Sequence, residues 1–512
     1  MPEIVLATLN AKFIHAAFGL RYLYANMGAL QPRASVAEYD INQRPLDIVE
    51  SLLSLGPKII GFGVYIWNVV PTTQVVEALK RVRPDILIVL GGPEVSYETE
   101  GQRVVELADV VLTGEADLSF GLLCQQLLAG QLPATKVVIS PLPAVEQLQL
   151  PYDAYTGDDL RHRVVYVEAS RGCPFTCEFC LSSLDIPVRQ FPLEAFLEAM
   201  QRLMDRGLQQ FKFVDRTFNL NLQVTRAILL FFLERHVTGR FYHFEMIPDR
   251  LPEGLRDIIK RFPSGSVQFE VGIQTFNPEV SKRISRRLND EAITANFRFL
   301  REETGVHIHA DLIVGLPGED LTSFARGFDR LVALGPQEIQ VGILKRLRGT
   351  PIGRHDVEWG MVYAEGAPYE ILQTSVLPFE QLQRLRRFSR FWDLIGDSGN
   401  FRESLPLAWA EGQSPFNQFL QASDWIYGRL KRTHQIALVQ LYELWFEFLT
   451  LVLGVDPHKV AGSVMRDFLR PGRKGTLEFL ASYLDSTVSN RDSHAPAGGS
   501  GSAFKRQRRH LK

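Results

Sequence analysis

The fold of this chain is decided by one short stretch, Arg171-Gly172-Cys173-Pro174-Phe175-Thr176-Cys177-Glu178-Phe179-Cys180. It holds three of the four cysteines in a chain of 512 residues. Thiolates spaced Cys-x-x-x-Cys-x-x-Cys on one loop can converge on one metal centre, and soft sulfur ligands select iron-sulfur clusters or zinc. A closed zinc site needs four ligands, and nearby His162 has no ligand-like spacing. The stretch therefore predicts a catalytic [4Fe-4S] cluster on Cys173, Cys177 and Cys180, with one iron open to another molecule.

With the aromatic Phe179 before its last cysteine, this loop resembles the cluster loop of radical S-adenosylmethionine (SAM) enzymes. The resemblance implies that the amino and carboxylate groups of SAM chelate the open iron. It also implies that one electron from the cluster cleaves SAM to a 5'-deoxyadenosyl radical, and that Phe179 borders this cofactor. An external donor such as flavodoxin or ferredoxin is then expected to supply the electron.

Composition limits the function classes. The 56 basic and 58 acidic residues nearly cancel, which indicates no general surface for nucleic acid. Four cysteines, three of them clustered, favour a reducing compartment over a disulfide framework. Cys124 lies in a helical pattern and is predicted to be a small buried hydrophobe. Without a signal peptide or a run of about 18 apolar residues, we expect a soluble, cytoplasmic protein without membrane contact.

The first 140 residues alternate apolar runs with helical segments, which is typical of a Rossmann-like parallel sheet. The five predicted strands are Ile4–Thr8, Ser35–Tyr39, Ile59–Val64, Ile86–Leu90 and Val110–Leu112. Ligands in such sheets bind beyond the carboxyl ends of the strands. Aromatic rings and glycines stand at those ends, where glycine lets the backbone approach a large planar ligand.

These strand ends resemble the cobalamin-binding domain that precedes the barrel in one large radical SAM class. The resemblance implies a cobalamin site formed by Tyr65, Trp67, Gly91, Gly92, Pro93, Ser96, Gly114 and Glu115. The Asp-x-His-x-x-Gly pattern that supplies a cobalt ligand elsewhere fails around His15, because Phe13 and Phe18 replace the Asp and the Gly. No histidine ligand is therefore predicted, and the axial ligation of cobalt stays open.

After the cysteine loop, apolar runs recur between helical segments and predict a partial (β/α)6 barrel, with its chemistry at the carboxyl ends of the strands. The predicted strands are Val164–Ala169, Phe211–Val214, Phe241–Ile247, Val267–Ile273, Val306–Val314 and Glu338–Leu344. Resemblance to the branch of oxygen-independent coproporphyrinogen dehydrogenase implies that Glu245, Gln274, Arg286 and Asp311 contact SAM. Relatives often place two acidic residues after the second strand, but this chain has Asp215 followed by Arg216.

The predicted domains are 1–140 (cobalamin-binding), 141–160 (linker), 161–365 (radical SAM barrel), 366–485 (helical) and 486–512 (disordered, basic). The aromatic residues of the helical domain are expected to form its core. Lys345, Arg346 and Arg348 follow the last barrel strand. They are predicted either to meet an anionic substrate or cobalamin, or to form a solvated run of charge.

Three hypotheses about function follow. The leading one is a cobalamin-dependent radical SAM enzyme that methylates, or otherwise transforms, an unidentified small molecule. The second is a radical SAM oxidoreductase whose first domain no longer binds cobalamin. The third is a non-catalytic iron-sulfur or zinc scaffold, which would have no need of the four SAM-contacting residues.

Overall fold

The computed structural model describes residues 1–185, 187–484 and 505–510. The chain divides into two compact units. The first unit is made of Met1–Arg216, Lys345–Gly353 and Ala364–Glu370. The second unit is made of Thr217–Leu344, Arg354–Tyr363 and Ile371–Lys512.

A parallel sheet forms the centre of the first unit. Its strands are β1 (Ile4–Asn10), β2 (Ala34–Asp40), β3 (Ile59–Gly63), β4 (Leu87–Gly91), β5 (Val110–Thr113) and β6 (Val137–Ile139). They lie in the order β2-β1-β3-β4-β5-β6 and every neighbouring pair is parallel. Five of them match predicted strands. The sixth, β6, has only three residues and lies beside the proline-rich stretch, so no periodicity indicated it.

Helices cover both faces of this sheet. The helices of the first unit are α1 (Phe18–Ala25), α2 (Pro45–Ser54), α3 (Val69–Val82), α4 (Arg103–Leu107), α5 (Ser119–Leu128), α6 (Gly157–His162) and α7 (Leu193–Asp205). Alternate residues of β1 serve different cores, because successive side chains of a strand point to opposite faces. Val5 packs with residues of α2 and α3, whereas Leu6 packs with residues of α1 and α5. Cys124 belongs to the second of these cores, as predicted, and burial raises the pKa of its thiol to about 12.

The first unit has four further short strands, of which two precede the cysteine loop and two follow it. These strands are β7 (Val165–Val167), β8 (Ser170–Arg171), β9 (Arg189–Gln190) and β10 (Gln210–Phe213). β7 and β10 pair in parallel, while β8 and β9 pair antiparallel. All three clustered cysteines therefore lie on a loop that β8 opens and β9 closes.

A second parallel sheet forms the centre of the second unit. Its strands are β11 (Phe241–Met246), β12 (Val267–Gln274), β13 (His307–Val314) and β14 (Glu338–Ile343), each parallel to the next. A small antiparallel pair, β15 (Val362–Tyr363) and β16 (Ile371–Gln373), also belongs to this unit. Its helices are α8 (Leu222–Glu234), α9 (Glu253–Ile259), α10 (Pro278–Arg283), α11 (Asp290–Glu303), α12 (Leu321–Leu334), α13 (Phe379–Ile395), α14 (Pro415–Leu430), α15 (Leu438–Glu447), α16 (Pro457–Leu469) and α17 (Lys505–His510).

The aromatic residues of the C-terminal helices form a core, as the helical spacing predicted. Phe388 and Trp392 of α13 are buried, and their rings lie 4.9 and 4.8 Å from those of Phe416 and Phe419 in α14. Edge-to-face and tilted aromatic pairs of this kind add to the free energy gained by burying the rings. None of the helices in the described part of the chain has the length and apolar character needed to cross a bilayer.

The prediction of a disordered basic tail is wrong for residues 505–510, which form α17. The sequence of this segment offers no apolar face, but Arg506 pairs with Glu338, Asp393 and Asp397. Charge pairing, rather than hydrophobic patterning, holds this helix. The remaining residues of the predicted tail, 486–504 and 511–512, lie outside the described residues.

Candidate active site

A crevice opens at the carboxyl ends of β3, β4 and β5 in the first unit. It encloses a cavity of about 200 Å³. Five of the residues predicted to bind cobalamin line it, namely Tyr65, Gly91, Gly92, Gly114 and Glu115. The prediction that ligands meet this sheet at its strand ends thus agrees with where the cavity lies.

The other three predicted residues support the crevice from outside its lining. Trp67 stacks on Tyr65 with ring centroids 4.4 Å apart, and 46% of Trp67 is exposed. Pro93 begins the short turn after β4, and the Ser96 hydroxyl donates a hydrogen bond to the Gly92 carbonyl at 2.9 Å. An exposed flat ring beside a glycine-lined floor suits a large planar ligand, so these residues fit cobalamin.

Histidine does not occur among the described residues that line this cavity. His15 instead hydrogen bonds with the Tyr166 hydroxyl at 2.6 Å, and burial lowers the pKa of its ring. The structure therefore gives His15 a packing partner away from the crevice, consistent with the failed Asp-x-His-x-x-Gly pattern.

The cysteine loop is held by backbone contacts. Cys173 and Cys177 are buried, whereas Phe179 and Cys180 are partly exposed. The Cys173 amide donates to the Asp185 carbonyl at 3.0 Å, and the Cys180 amide donates to the Cys177 carbonyl at 3.1 Å. Three thiols on one loop fit the donor set of an iron-sulfur cluster with one open iron.

Gly172 explains why glycine precedes the first cysteine. Its φ is +90°, and a Cβ there would lie 2.7 Å from the Asp185 carbonyl oxygen. Any other residue would be strained and would push the two ends of the loop apart. The turn into Cys173 therefore depends on Gly172.

Asp215, after β10, is a buried carboxylate of the same unit. It accepts hydrogen bonds from the Ala169 amide at 3.0 Å and from the Ser170 hydroxyl at 2.6 Å. Burial raises its pKa to about 7. Asp215 thus holds the strand that leads into the cysteine loop, while Arg216 stands where relatives often carry a second acid.

The charged network around Arg171 was not recognised from the sequence. Arg171 pairs with Glu115, Asp117 and Glu168, each at 2.9 Å. Its partners lie up to 56 residues away along the chain, so no local spacing indicated them. The motif residue Arg171 also lines the crevice, which makes it shared by the crevice and the cysteine loop.

Polar residues occupy one face of the sheet in the second unit. Strand register places Glu245 opposite Glu270, Glu270 opposite His309, and His309 opposite Glu338. Side chains in register on neighbouring parallel strands share a face. Three of these four residues were not predicted, although the alternation of His307, His309 and Asp311 along β13 could have indicated a polar face.

Three of the four predicted SAM-contacting residues converge on Gly272. Asp311 lies opposite Gly272 in the strand register, and Arg286 donates to the Gly272 carbonyl. The Gln274 side chain folds back over Gly272, where its Nε2 lies 2.5 Å from the position a Cβ would take. Glu245 lies on the same face, one strand away. The predicted set is therefore brought together in this unit.

The conformation of Gln274 is unusual. Its φ is +70°, and the pairing of β12 with β13 shifts register between Gly272 and Gln274. Its Oε1 is buried with no hydrogen-bond partner among the described residues. Strained backbone and an unsatisfied buried acceptor are typical of binding sites. Together with the carboxylate of Asp311 and the guanidinium of Arg286, this acceptor suits the hydroxyl, ammonium and carboxylate groups of SAM.

The His309 ring lies between the carboxylates of Asp311 and Glu338. Its ring nitrogens lie 3.4 Å from Asp311 and 3.4 Å from Glu338. Burial alone would lower the pKa of His309, but these two carboxylates raise it well above its ordinary value. These contacts place the His309 ring where it can orient the Asp311 carboxylate.

Two of the three basic residues after β14 form ion pairs. Arg348 pairs with Glu94 at 2.9 Å, and Arg346 pairs with Glu98 at 3.3 Å, all within the first unit. Both carboxylates follow the turn at Gly92 and Pro93. The Arg348 pair is largely buried, whereas the side chains of Arg346 and Glu98 are each 40% exposed. Contact of these residues with an anionic substrate or with cobalamin stays a prediction.

Comparison with known families fits this geometry. The B12 binding domain family matches residues 4–123, and the Radical SAM superfamily matches residues 167–331. The chain therefore carries a B12-binding domain and a radical SAM domain. A third family, a protein of unknown function (DUF4080), matches residues 357–495.

Curated relatives of this radical SAM protein include two methyltransferases. One is the uncharacterized methyltransferase PH0819 of Pyrococcus horikoshii, 25% identical over 53% of this chain and 63% of the relative. The other is 2-(S-pantetheinyl)-carbapenam-3-carboxylate methyltransferase of Streptantibioticus cattleyicolor, 25% identical over 66% of this chain and 54% of the relative. The chain thus spans less than two thirds of the length of either relative.

A solved structure shows the same fold. The radical SAM methyltransferase TsrM from Kitasatospora setae, with cobalamin and a [4Fe-4S] cluster bound, superposes with a TM-score of 0.55. It is 17% identical, and the superposition covers 72% of this chain and 78% of TsrM. The predicted α/β fold class, the B12-binding domain and the radical SAM domain are therefore confirmed, and the individual site residues remain predictions.

Replacing Gly92 with alanine is expected to abolish cobalamin binding. Gly92 has φ +107°, and a Cβ would lie 2.5 Å from the Val64 carbonyl oxygen, so the turn must move. The backbone strain alone costs about 1–3 kcal/mol. Titration with hydroxocobalamin, followed by absorbance, measures the loss. Gly101→Ala is the matched control, because Gly101 also has positive φ but has no atom within 4 Å of its added Cβ. Unchanged cobalamin binding by Gly92→Ala would contradict the assigned role of this turn.

Glu319 is expected to make stability fall as pH rises. Its Oε1 accepts from the Thr275 hydroxyl at 2.6 Å, but its Oε2 is buried without a partner among the described residues. Burial raises its pKa from 4.5 to about 7. The unfolded chain therefore ionises first, and stability present below pH 4.5 is lost between that pH and about 7.

The test is the pH dependence of the unfolding midpoint in Glu319→Gln. The lost stability is on the order of 3 kcal/mol, and the variant should lack this dependence. The difference between the unfolding midpoint of Glu319→Gln and that of the wild type should therefore increase from pH 5 to pH 8. Glu279→Gln, at an exposed neighbouring position, should follow the wild type. Parallel profiles for Glu319→Gln and the wild type would show that Glu319 is ionised throughout.

Proposed function

We propose that this chain is an enzyme that uses a [4Fe-4S] cluster, SAM and cobalamin to methylate an unidentified small molecule. One observation carries the proposal: a loop with three cysteines is anchored to carboxylates of a crevice that belongs to a matched B12-binding domain. Methyl transfer is favoured over other radical reactions because two relatives are named as methyltransferases. The presence of both domains does not favour the oxidoreductase or the scaffold hypothesis.

The residues have separable tasks in this proposal. When bound, the cluster supplies an electron to SAM, and cobalamin carries the methyl group. Cys173, Cys177 and Cys180 would hold the cluster. Arg286 would pair with the SAM carboxylate, while Asp311 and Gln274 would accept hydrogen bonds from its ammonium or hydroxyl groups. The protein thereby orients the reacting groups and excludes water from them.

The same proposal implies a partner and a compartment. A one-electron donor such as flavodoxin or ferredoxin would reduce the cluster. A cluster with an open iron survives in reducing surroundings, so we expect the enzyme to work in the cytoplasm. The proposed substrate is a small molecule. With 56 basic against 58 acidic residues, the chain lacks the excess of positive charge that a general nucleic-acid surface needs.

The test is anaerobic reconstitution with iron and sulfide, followed by addition of hydroxocobalamin and SAM. We expect about four iron atoms per chain, bound cobalamin, and 5'-deoxyadenosine after reduction. SAM labelled in its methyl group should then pass the label to an acceptor. Failure to bind cobalamin would remove this proposal, and failure to cleave SAM with a reduced cluster would remove any radical SAM activity.

A further inference from the structure

Two arginines face each other where the cysteine loop is closed. β8 and β9 pair so that Arg171 lies opposite Arg189. Like charges directly opposite on paired strands repel and destabilise the pairing. The loop that carries Cys173, Cys177 and Cys180 is therefore closed by a pair of strands that needs added negative charge.

Glu115 supplies that charge to both arginines. Its Oε2 accepts from Arg171 at 2.9 Å and from Arg189 at 3.1 Å, and its Oε1 accepts a further hydrogen bond from Arg189. The side chains of all three residues are at least three quarters buried. Bidentate pairing of arginine with carboxylate in such surroundings is strong and fixes orientation.

The contacts of Arg189 extend through Asp185 to the first cysteine. Arg189 also pairs with the Asp185 carboxylate at 3.1 Å. The Asp185 carbonyl, in turn, accepts the hydrogen bond from the Cys173 amide at 3.0 Å. A continuous chain of contacts thus runs from Glu115 through Arg189 and Asp185 to Cys173.

The inner end of the chain of contacts lies in the crevice. Glu115 follows β5 and lines the cavity together with Asp117 and Arg171, whereas Arg189 does not line it. Asp117 holds Arg171 with two hydrogen bonds, at 2.9 and 3.0 Å. The same carboxylates therefore border the cobalamin crevice and anchor the cysteine loop.

We propose that Glu115, Asp117, Arg171 and Arg189 form a clasp that positions the cysteine loop and couples it to the crevice. These are positioning residues, and the inference rests on the proposed function in taking cobalamin as the crevice ligand and the three cysteines as ligands of the cluster. A ligand that orders Glu115 orders the clasp and so slows loss of the cluster. Because coupling between two sites is reciprocal, an assembled cluster also strengthens cobalamin binding.

The test is the rate at which an iron chelator removes the cluster, with and without hydroxocobalamin. In the wild type, cobalamin should slow iron loss by about five-fold or more. It should also change the electron paramagnetic resonance signal of the reduced cluster. In Arg189→Gln, which leaves the cavity lining intact, cobalamin should still bind, but both effects should be lost.

Further variants separate the clasp from general destabilisation. Arg189→Lys keeps the charge but has no fork to join Glu115 and Asp185, so it should lose most of the coupling. Glu115→Gln weakens the acceptor that Arg171 and Arg189 share, so it should lose at least as much of the coupling as Arg189→Gln. Arg81→Gln, at a side chain that is 80% exposed, should match the wild type.

The outcomes distinguish the two proposals. A wild-type protein that binds no cobalamin overturns the proposed function. A wild type that binds both groups, with equal protection in Arg189→Gln and Arg189→Lys, overturns the clasp. If Arg189→Gln does not fold, Arg189→Lys alone decides, because its thermal midpoint shows whether lost coupling reflects unfolding.

Discussion

Replacing Cys177 with alanine is expected to abolish the cluster and, with it, all reductive cleavage of SAM. The remaining thiols, Cys173 and Cys180, would leave two irons of a cubane without protein ligands. No other cysteine is available, because Cys124 is the fourth in the chain and is buried in the core between the sheet and α1 and α5. The measurements are iron content, absorbance of the reconstituted cluster, and 5'-deoxyadenosine after reduction.

Cys124→Ala is the matched control for this result. It removes a buried thiol of the same unit but no predicted ligand. It should lower stability by about 1 kcal/mol for the small cavity, while iron content and SAM cleavage stay at the wild-type level. An intact cluster in Cys177→Ala, or its loss in Cys124→Ala, would show that the ligands are assigned wrongly.

Most of the fold was predicted from local patterns of apolar residues in the sequence. Strands of the first sheet are apolar on both faces because helices cover both, so runs such as that in β1 stand out from the sequence. Boundaries agree within about two residues, as expected when assignments depend on fraying ends. β6 escaped prediction because three residues carry no periodicity.

Residues of the candidate site could be predicted only from the spacing of the cysteines or from resemblance to a known family. The three cysteines follow from spacing alone. Gln274, Arg286 and Asp311 came from resemblance, and their convergence on Gly272 supports it. The clasp could not be predicted, because ion pairs between residues 54 to 74 positions apart leave no mark in local sequence.

The same limit explains why α17 was predicted to be disordered. A short basic segment after a glycine-rich stretch has the composition of a solvated tail. Its order depends on acids elsewhere in the second unit, above all Glu338, whose side chain is 2% exposed. Burial would raise the pKa of Glu338, but His307, His309 and Arg506 hold it well below its ordinary value. A buried carboxylate of this kind requires cationic partners.

Replacing Arg506 with alanine is therefore expected to destabilise the second unit strongly. Arg506 lies 2.8 Å from the Glu338 carboxylate and 2.9 Å from that of Asp393. Its Nε also donates to the Asp397 carbonyl at 2.9 Å. Removing one partner of a buried ion pair leaves the other charge buried and costs about 3–5 kcal/mol. Because Glu338 keeps His307 at 2.8 Å, we expect the lower end of this range.

Urea unfolding followed by tryptophan fluorescence measures this effect, since five of the six tryptophans belong to the second unit. Arg466→Ala is the control, because Arg466 and its partner Glu403 are 59% and 43% exposed at their side chains. An exposed pair is worth about 0–1 kcal/mol. The difference between the two variants isolates the burial of Glu338, because each removes one arginine from an ion pair. Equal losses in both variants would mean that α17 does not neutralise this carboxylate in solution, and that the acid is instead protonated or reached by water.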